Sequence, residues 1–200
     1  MKKFNINGRS RSGTTITHRI LNSHPDIQCL NANNLQFKDE YYDGKSKWFG
    51  FKSGTPLLEN VNVSFKYIHI VRDGRDSVSS GIRRTKSLGY HKSPWRSPDP
   101  TINSEDWAEH YFRWERIKAE ILPPGSWLDI RFEDYIDVPG KNAVIMANFL
   151  DVDERSMVKA ENKLISLKES HKGYHVEWVP GWKKTFHPDA IKALELLGYI

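Results

Sequence analysis

The sequence predicts an α/β fold of three layers, a central parallel sheet flanked by helices, on three observations. Segments with strand character alternate with segments of helical character along the chain, the order that gives a parallel sheet covered on both sides. Residues 65–71, Phe-Lys-Tyr-Ile-His-Ile-Val, are β-branched and aromatic throughout, as a strand buried on both faces should be. A turn rich in Gly, Ser and Arg joins the first strand to the first helix, where a P-loop-like fold keeps its phosphate loop.

Taken in order, Lys2 to Asn7 reads as the first strand and Gly13 to Leu21 as the first helix, stopped by His24-Pro25. Ile27 to Leu30 is a short second strand, and residues 31–47 are polar and aromatic without a period. Trp48 to Lys52 is a third strand, and Thr55-Pro56 opens a short helix toward Asn60. After the strand ending at Val71 a helix runs from about Arg75 to Thr85. Pro94, Pro98 and Pro100 make residues 87–103 a long loop, of the kind that often serves as a binding element or lid. Ser104 is the expected N-cap of a long helix with Trp107, Tyr111, Trp114, Ile117 and Ile121 on one face, ended by Pro123-Pro124-Gly125. Trp127 to Phe132 is a further strand, followed by helices over 139–150 and 153–165. A last helix starts at Pro188 and is stopped by Gly198.

Two hundred residues suit one domain spanning 1–200. No run of about 18 apolar residues exists, which argues against a membrane span, and the mean hydropathy is -0.64. The first residues turn polar too early for a signal-peptide core. A single cysteine, Cys29, excludes an internal disulfide and a cysteine-built zinc site, so a cytoplasmic location is expected. The eight His show no metal-ligand spacing, and no metal is expected. The net charge of +5 suits an anionic ligand. Arg9 and Arg11 form one group and Arg72, Arg75, Arg83 and Arg84 another, each beside a strand end. That focus favours a small anion site over a nucleic-acid stripe.

In Gly8-Arg9-Ser10-Arg11-Ser12-Gly13-Thr14-Thr15, two glycines separated by four residues precede a hydroxyl pair. Successive backbone N–H groups and a helix N-terminus can converge there on phosphate oxygens. Thr14 stands where a nucleotide kinase or ATPase carries Lys, which weakens a P-loop kinase reading. The second anion motif, Arg72-Asp73-Gly74-Arg75-Asp76-Ser77-Val78-Ser79-Ser80, follows the β-branched and aromatic strand over 65–71. Arg offers a phosphate monoester a fork of strong donors, and a Ser two turns into the helix can add a hydroxyl. The alternative for this stretch is a surface cluster of ion pairs, Arg72/Asp76 and Asp73/Arg75.

Arg11-Ser12-Gly13-Thr14-Thr15 resembles the 5′-phosphosulfate loop of the PAPS-dependent sulfotransferases, where PAPS is 3′-phosphoadenosine-5′-phosphosulfate. Arg72 and Ser80 resemble the Arg and Ser, eight residues apart, of that family's 3′-phosphate motif. Asp129 to Tyr135 resembles its strand-end Arg-Tyr-Glu-Asp segment, and Gly181 to Phe186 its C-terminal Trp-Lys segment. The resemblance extends from Asn7 to Leu197. It implies transfer of a sulfuryl group from PAPS to a hydroxyl or amine acceptor, with adenosine 3′,5′-bisphosphate (PAP) released. It implies that Arg9, Arg11, Ser12, Gly13, Thr14, Thr15, Arg72 and Ser80 hold the nucleotide, that Phe132 stacks beside the adenine, and that Lys172 closes over the 3′-phosphate. It gives Arg11 and Lys52 the catalytic cations, with Lys52 at the transferring sulfuryl group. No nucleic acid or membrane partner is implied.

The base that takes the acceptor's proton is left open. Gly54 stands where cytosolic relatives carry His, and the Glu that follows a His-Pro-Asp-Ile-x-Cys segment in the tyrosylprotein type is absent after Cys29. Asp39, Glu40, His69 and His91 are the candidates weighed, with His69 better read as a core residue. Tyr41, Tyr42, Tyr90, Trp95 and Arg96 could line an acceptor pocket. Without a base the chain would instead be a nucleotide-binding module without catalysis.

Overall fold

The computed structural model describes residues 1–31, 39–54, 56, 58–88, 97–166 and 181–200, with the backbone alone at 86–88. Five strands, β1 (Lys2–Asn7), β2 (Ile27–Leu30), β3 (Trp48–Lys52), β4 (Lys66–Val71) and β5 (Trp127–Arg131), form one sheet in the order β2-β3-β1-β4-β5, every pair parallel. β1 lies at the centre. The chain leaves it toward β2 at one edge, returns through β3 to its flank, and then crosses to β4 on its other side. Ligands of open α/β sheets bind where the strand order reverses in this way, outside the carboxyl ends of the strands. Register sets Ile6 beside Lys52 and Asn7 beside His69, so the loops after β1, β3 and β4 emerge level with one another.

The two faces of β1 differ in sequence. Phe4 and Ile6 turn toward a core shared with α1 (Thr14–Leu21), α5 (Lys141–Leu150) and α6 (Arg155–Ser166). Ile16, Ile20, Met146, Leu150 and Met157 fill that layer, and each fully buried aliphatic side chain there contributes about 1.5–3 kcal/mol. The other face packs under α3 (Pro100–Glu120), where Trp114 and Ile117 cover Phe65 and Tyr67. α2 (Gly74–Leu88) and the last helix, Pro188–Leu196, meet α3 through Val78, Ile82, Trp107, Ala190 and Leu194. The expected three layers are therefore present, with α1 and α3 on opposite sides of the sheet.

Local structure departs from expectation in two places. α2 runs on to Leu88 and α3 begins at Pro100, so residues 87, 88 and 100–103 belong to helices and not to the loop expected over 87–103. Asp99 is the N-cap, its carboxylate accepting from the Thr101 N–H at 2.8 Å, and Pro100 takes the first helical position, where its missing N–H is harmless. Ser104, the expected cap, is buried inside the helix and accepts from the backbone N–H of His187. At the other end of this region β5 stops at Arg131, and Phe132 opens a short helix, α4 (Phe132–Asp137), ahead of α5.

Candidate active site

The turn after β1 is built on backbone shapes that few side chains allow. Gly8, Arg11 and Gly13 have φ of 148°, 77° and 112°. A β-carbon on Gly13 would also fall 2.5 Å from the Phe132 ring, so this position accepts nothing larger. Ser12 locks the turn, its N–H and Oγ both donating to the Arg9 carbonyl at 3.1 and 2.7 Å. Arg11, with a left-handed backbone and an exposed side chain, carries strain of order 1 kcal/mol that the closed turn imposes. α1 starts at Thr14; the Ile16 and Thr17 N–H groups donate to the Gly13 carbonyl at 3.0 and 3.2 Å, and the Thr14 and Thr15 N–H groups precede these bonds at the helix N-terminus, where an anion is favoured.

Arg72 follows the last residue of β4 and is buried. Its Nη1 donates to the Arg11 carbonyl at 3.1 Å, and its guanidinium lies over the Phe132 ring, 4.4 Å from the centroid. From α2, the Ser80 hydroxyl accepts from Arg11 Nε at 3.1 Å. The two anion motifs, 61 residues apart in sequence, thus meet directly. Lys52, at the end of β3, completes the ring of cations. Its Nζ donates to Thr15 Oγ1 at 3.2 Å, and burial pushes its pKa below the ordinary value for lysine. Arg11, Lys52, Arg72, Ser80 and Thr15 are brought together at one end of the sheet, together with Ser12, Gly13 and Thr14 of the turn.

Arg9 and Phe132 have other engagements than the nucleotide contacts expected of them. Arg9 is buried, and its Nε donates to Asp106 at 2.5 Å, Nη2 to Asn103 at 3.0 Å and Nη1 to Ser77 at 3.4 Å. Its guanidinium therefore binds the loop to α2 and α3. The Phe132 ring meets Gly13 along its Cδ2–Cε2 edge and carries the Arg72 guanidinium over it, so it positions the arginine. Lys172 lies outside the described residues. Asp73 pairs with Arg75 at 2.6 Å, one of the two ion pairs named in the alternative for this stretch.

The acidic and aromatic candidates around residue 40 are far from the turn. Asp39 pairs with Lys3, near the start of β1, and four residues of strand separate Lys3 from Asn7, about 13 Å. Tyr42 donates to the Ser46 carbonyl ahead of β3, again at the opposite end of the sheet from Lys52. His69 is in the core, as expected, stacked on Trp114 with Nδ1 3.2 Å from Asp129. His91, Tyr90, Trp95 and Arg96 lie outside the described residues. Among the described residues no group of three or more His, Cys, Asp or Glu could hold a metal ion, and no helix is long and apolar enough to cross a membrane.

Sequence reasoning missed the partners of Arg9. Asn103, Asp106 and His110 follow one another at helical spacing, i, i+3 and i+7, a polar stripe on a helix otherwise noted for its aromatic face. Placing the helix start at Ser104 hid it.

The Sulfotransferase family model matches residues 64–155, from just before β4 to the start of α6. That span holds Arg72 and Ser80 but not the turn after β1. A Caenorhabditis briggsae protein named "Putative protein-tyrosine sulfotransferase" is 20% identical over 95% of this chain and 84% of its own length. Among solved structures, mouse sulfotransferase SULT7A1 complexed with PAP superposes with a TM-score of 0.60 at 17% identity, covering 98% of this chain and 82% of its own. The sulfotransferase domain from the curacin biosynthetic pathway gives 0.64 at 14% identity, covering 100% and 99%. At such identities these superpositions establish the fold.

Proposed function

We infer that this chain, a protein of the sulfotransferase family, moves a sulfuryl group from PAPS to a hydroxyl or amine acceptor and releases PAP. The observation that carries the reading is the meeting of Arg72 and Ser80 with Arg11. One nucleotide with an anion at each end accounts for both motifs, whereas two unrelated salt-bridge clusters would have no reason to converge. The mouse sulfotransferase with the same fold was solved with PAP, which agrees with this donor.

In this reading the first turn of α1, with Thr14 and Thr15, holds the sulfated 5′ end, and Arg72 and Ser80 take the 3′-phosphate. The acceptor oxygen attacks sulfur in line while the bond from sulfur to the bridging oxygen breaks. Negative charge grows on that oxygen, and cations already fixed beside it stabilise the transition state more than the ground state. Arg11 and Lys52 are those cations. The Arg11 Nε donates to Ser80 and the Lys52 Nζ to Thr15, each a neutral hydroxyl that an anion can displace, which supports this reading. Thr14 where kinases carry Lys speaks against ATP as the donor. A cytoplasmic location suits a chain whose cysteine is buried with its thiol pushed toward the protonated form.

Thermal denaturation with PAP, set against ATP and magnesium, tests the donor site. At 100 times its dissociation constant a ligand stabilises by about 2.7 kcal/mol. A rise in Tm with PAP and none with ATP is expected, and the reverse pattern would remove the assignment. Transfer of labelled sulfuryl from PAPS to phenols, sugars and peptides then identifies the acceptor class.

A further inference from the structure

The turn that closes the last helix is bound to the strand ends that carry the 3′-phosphate motif. Gly198 has φ of 70°, its N–H donates to the Glu195 carbonyl at 3.0 Å, and the Tyr199 N–H reaches back to the Leu194 carbonyl at 2.9 Å. A glycine in the left-handed region with such return bonds ends a helix in one fixed direction. Here it sends Tyr199 to the carboxyl ends of β4 and β5. The Tyr199 hydroxyl donates to Glu133 Oε2 at 2.9 Å, and Glu133 Oε1 accepts from the Asp73 N–H at 2.9 Å. One carboxylate thus links Tyr199 to the peptide between Arg72 and Asp73. Arg75 completes the circuit, its Nη2 donating both to Asp73 Oδ2 at 2.6 Å and to the Tyr199 carbonyl at 3.0 Å. Arg131, the last residue of β5, lies over the Tyr199 ring, 4.8 Å from its centroid, and donates to the Leu197 carbonyl. Phe132, between Arg131 and Glu133, carries the Arg72 guanidinium.

Resting on the donor site assigned above, we propose that Glu133 and Tyr199 are positioning residues of the 3′-phosphate site, which fix the peptide after Arg72 and so aim its guanidinium at the phosphate. Arg72 is held twice by consecutive residues at the start of α4, its backbone through Glu133 and its guanidinium through Phe132. A side chain aimed in advance loses less freedom when its ligand arrives, and the saving appears as affinity. The sign of the charge supports this task. A carboxylate near a dianionic phosphate weakens binding by repulsion. As a charge alone Glu133 is therefore out of place, and as the acceptor that fixes the Asp73 N–H and the Tyr199 hydroxyl it has a reason to be there. Burial, with Glu133 beside it, pushes the Tyr199 phenol up, so the hydroxyl keeps its proton and remains a donor near pH 7. The last helix, which packs on α3, thereby acts on donor affinity through its closing turn.

The test reads two quantities, the dissociation constant of PAP by titration calorimetry well below the melting range and the Tm of the free protein. Glu133→Ala removes both bonds and should weaken PAP about tenfold, the effect of one lost hydrogen bond. Tyr199→Phe keeps the ring under Arg131 and should weaken it by about threefold. Glu133→Gln keeps an oxygen for the Asp73 N–H and should restore the affinity lost in Glu133→Ala. A double-mutant cycle shows whether Glu133 acts through Arg72. In Arg72→Lys, which lacks the guanidinium, adding Glu133→Ala should weaken PAP by no more than about twofold. A Glu133→Ala protein that binds PAP as tightly as wild type or more tightly, whatever its Tm, would overturn the proposal and leave the network as packing. The full loss repeated in Arg72→Lys would overturn it as well. If Glu133→Ala does not fold, Tyr199→Phe decides, and wild-type affinity in that variant counts against the proposal. A wild type that does not bind PAP removes the donor site itself, and this inference with it.

Discussion

Arg9 and Arg11 stand two residues apart in one turn, yet the protein treats them in opposite ways. Arg9 is 6% exposed, and all three of its guanidinium nitrogens donate to Asp106, Asn103 and Ser77. Arg11 is exposed, its backbone is held at positive φ, and its Nε rests on the neutral hydroxyl of Ser80. Arg9 is therefore bound by an acid, an amide and a hydroxyl of α2 and α3, while the Arg11 Nε meets the neutral hydroxyl of Ser80. A buried arginine matched to a carboxylate is part of the framework. A donor that rests on a neutral hydroxyl, as the Arg11 Nε does on Ser80, is readily given over to a ligand anion, since an ionised acceptor binds roughly twice as strongly as a neutral one. Farther along, Asp73 binds the Arg75 guanidinium, and the Arg72 Nη1 donates to the Arg11 carbonyl.

The division is broken most severely at Arg72. Removing it takes a fork of charged donors from the 3′-phosphate, and hydrogen bonds to charged groups contribute about 1.5–3 kcal/mol each. Two such bonds correspond to a weakening of PAP binding on the order of 10²–10⁴-fold. Arg72→Ala should lose the thermal response to PAP while the free protein still melts cooperatively. A PAP affinity near that of wild type would place the 3′-phosphate elsewhere.

The paired variants Arg11→Ala and Arg9→Ala sharpen the contrast. Arg11→Ala should lower turnover by about 10²–10³-fold, as loss of a donor to the developing charge does, with PAP affinity changed much less. Arg9→Ala should act first on stability, lowering it by about 1.5–3 kcal/mol as the bond to Asp106 is lost. The double variant Arg9→Ala/Asp106→Asn should regain part of that stability, because it removes the carboxylate left without its cation. Equal stability losses at positions 9 and 11, by urea or thermal melts, would erase the distinction.

How much of this was legible in the sequence follows from which signals are local. The strands are legible because apolar and β-branched runs such as 65–71 are a property of the segment itself. The phosphate turn is legible because Gly8 and Gly13 must be glycine for backbone reasons, and their spacing records it. The meeting of Arg72 with Arg11 follows once β1 and β4 are taken as neighbours. The start of α3 is misread because Pro100 is a loop signal and an N1 signal at once, and only Asp99 before it decides between them. The roles of Arg9 and Phe132 are illegible for a different reason. Both are set by long-range partners, Asp106 at 97 residues and Arg72 at 60, and nothing in the turn or in the strand end announces them.

The smallest effect expected concerns the support behind β4, and it separates framework charges from ligand charges by pH. His69 is enclosed between Trp114 and Asp129, and burial lowers its pKa despite the pull of Asp129. Asp129 itself is raised by burial, but the bonds from His69 and Lys118 outweigh this and hold it below the usual carboxylate range. A group whose folded pKa is depressed contributes stability above its unfolded pKa and loses it as pH falls through the folded one. For His69 the loss begins below the unfolded value of 6.5, where the unfolded chain takes up a proton that the folded chain resists. Asp129 follows below its own unfolded value of 3.8, and both act in the same direction. Tm should therefore fall between pH 7 and pH 5. His69→Gln, which leaves Asp129 its bonds from Trp114 and Lys118, should fall by less over the same interval. A parallel decline in the two proteins would assign the acid sensitivity to other groups, His18 or His110, whose pKa values burial also lowers, and would leave His69 as packing alone.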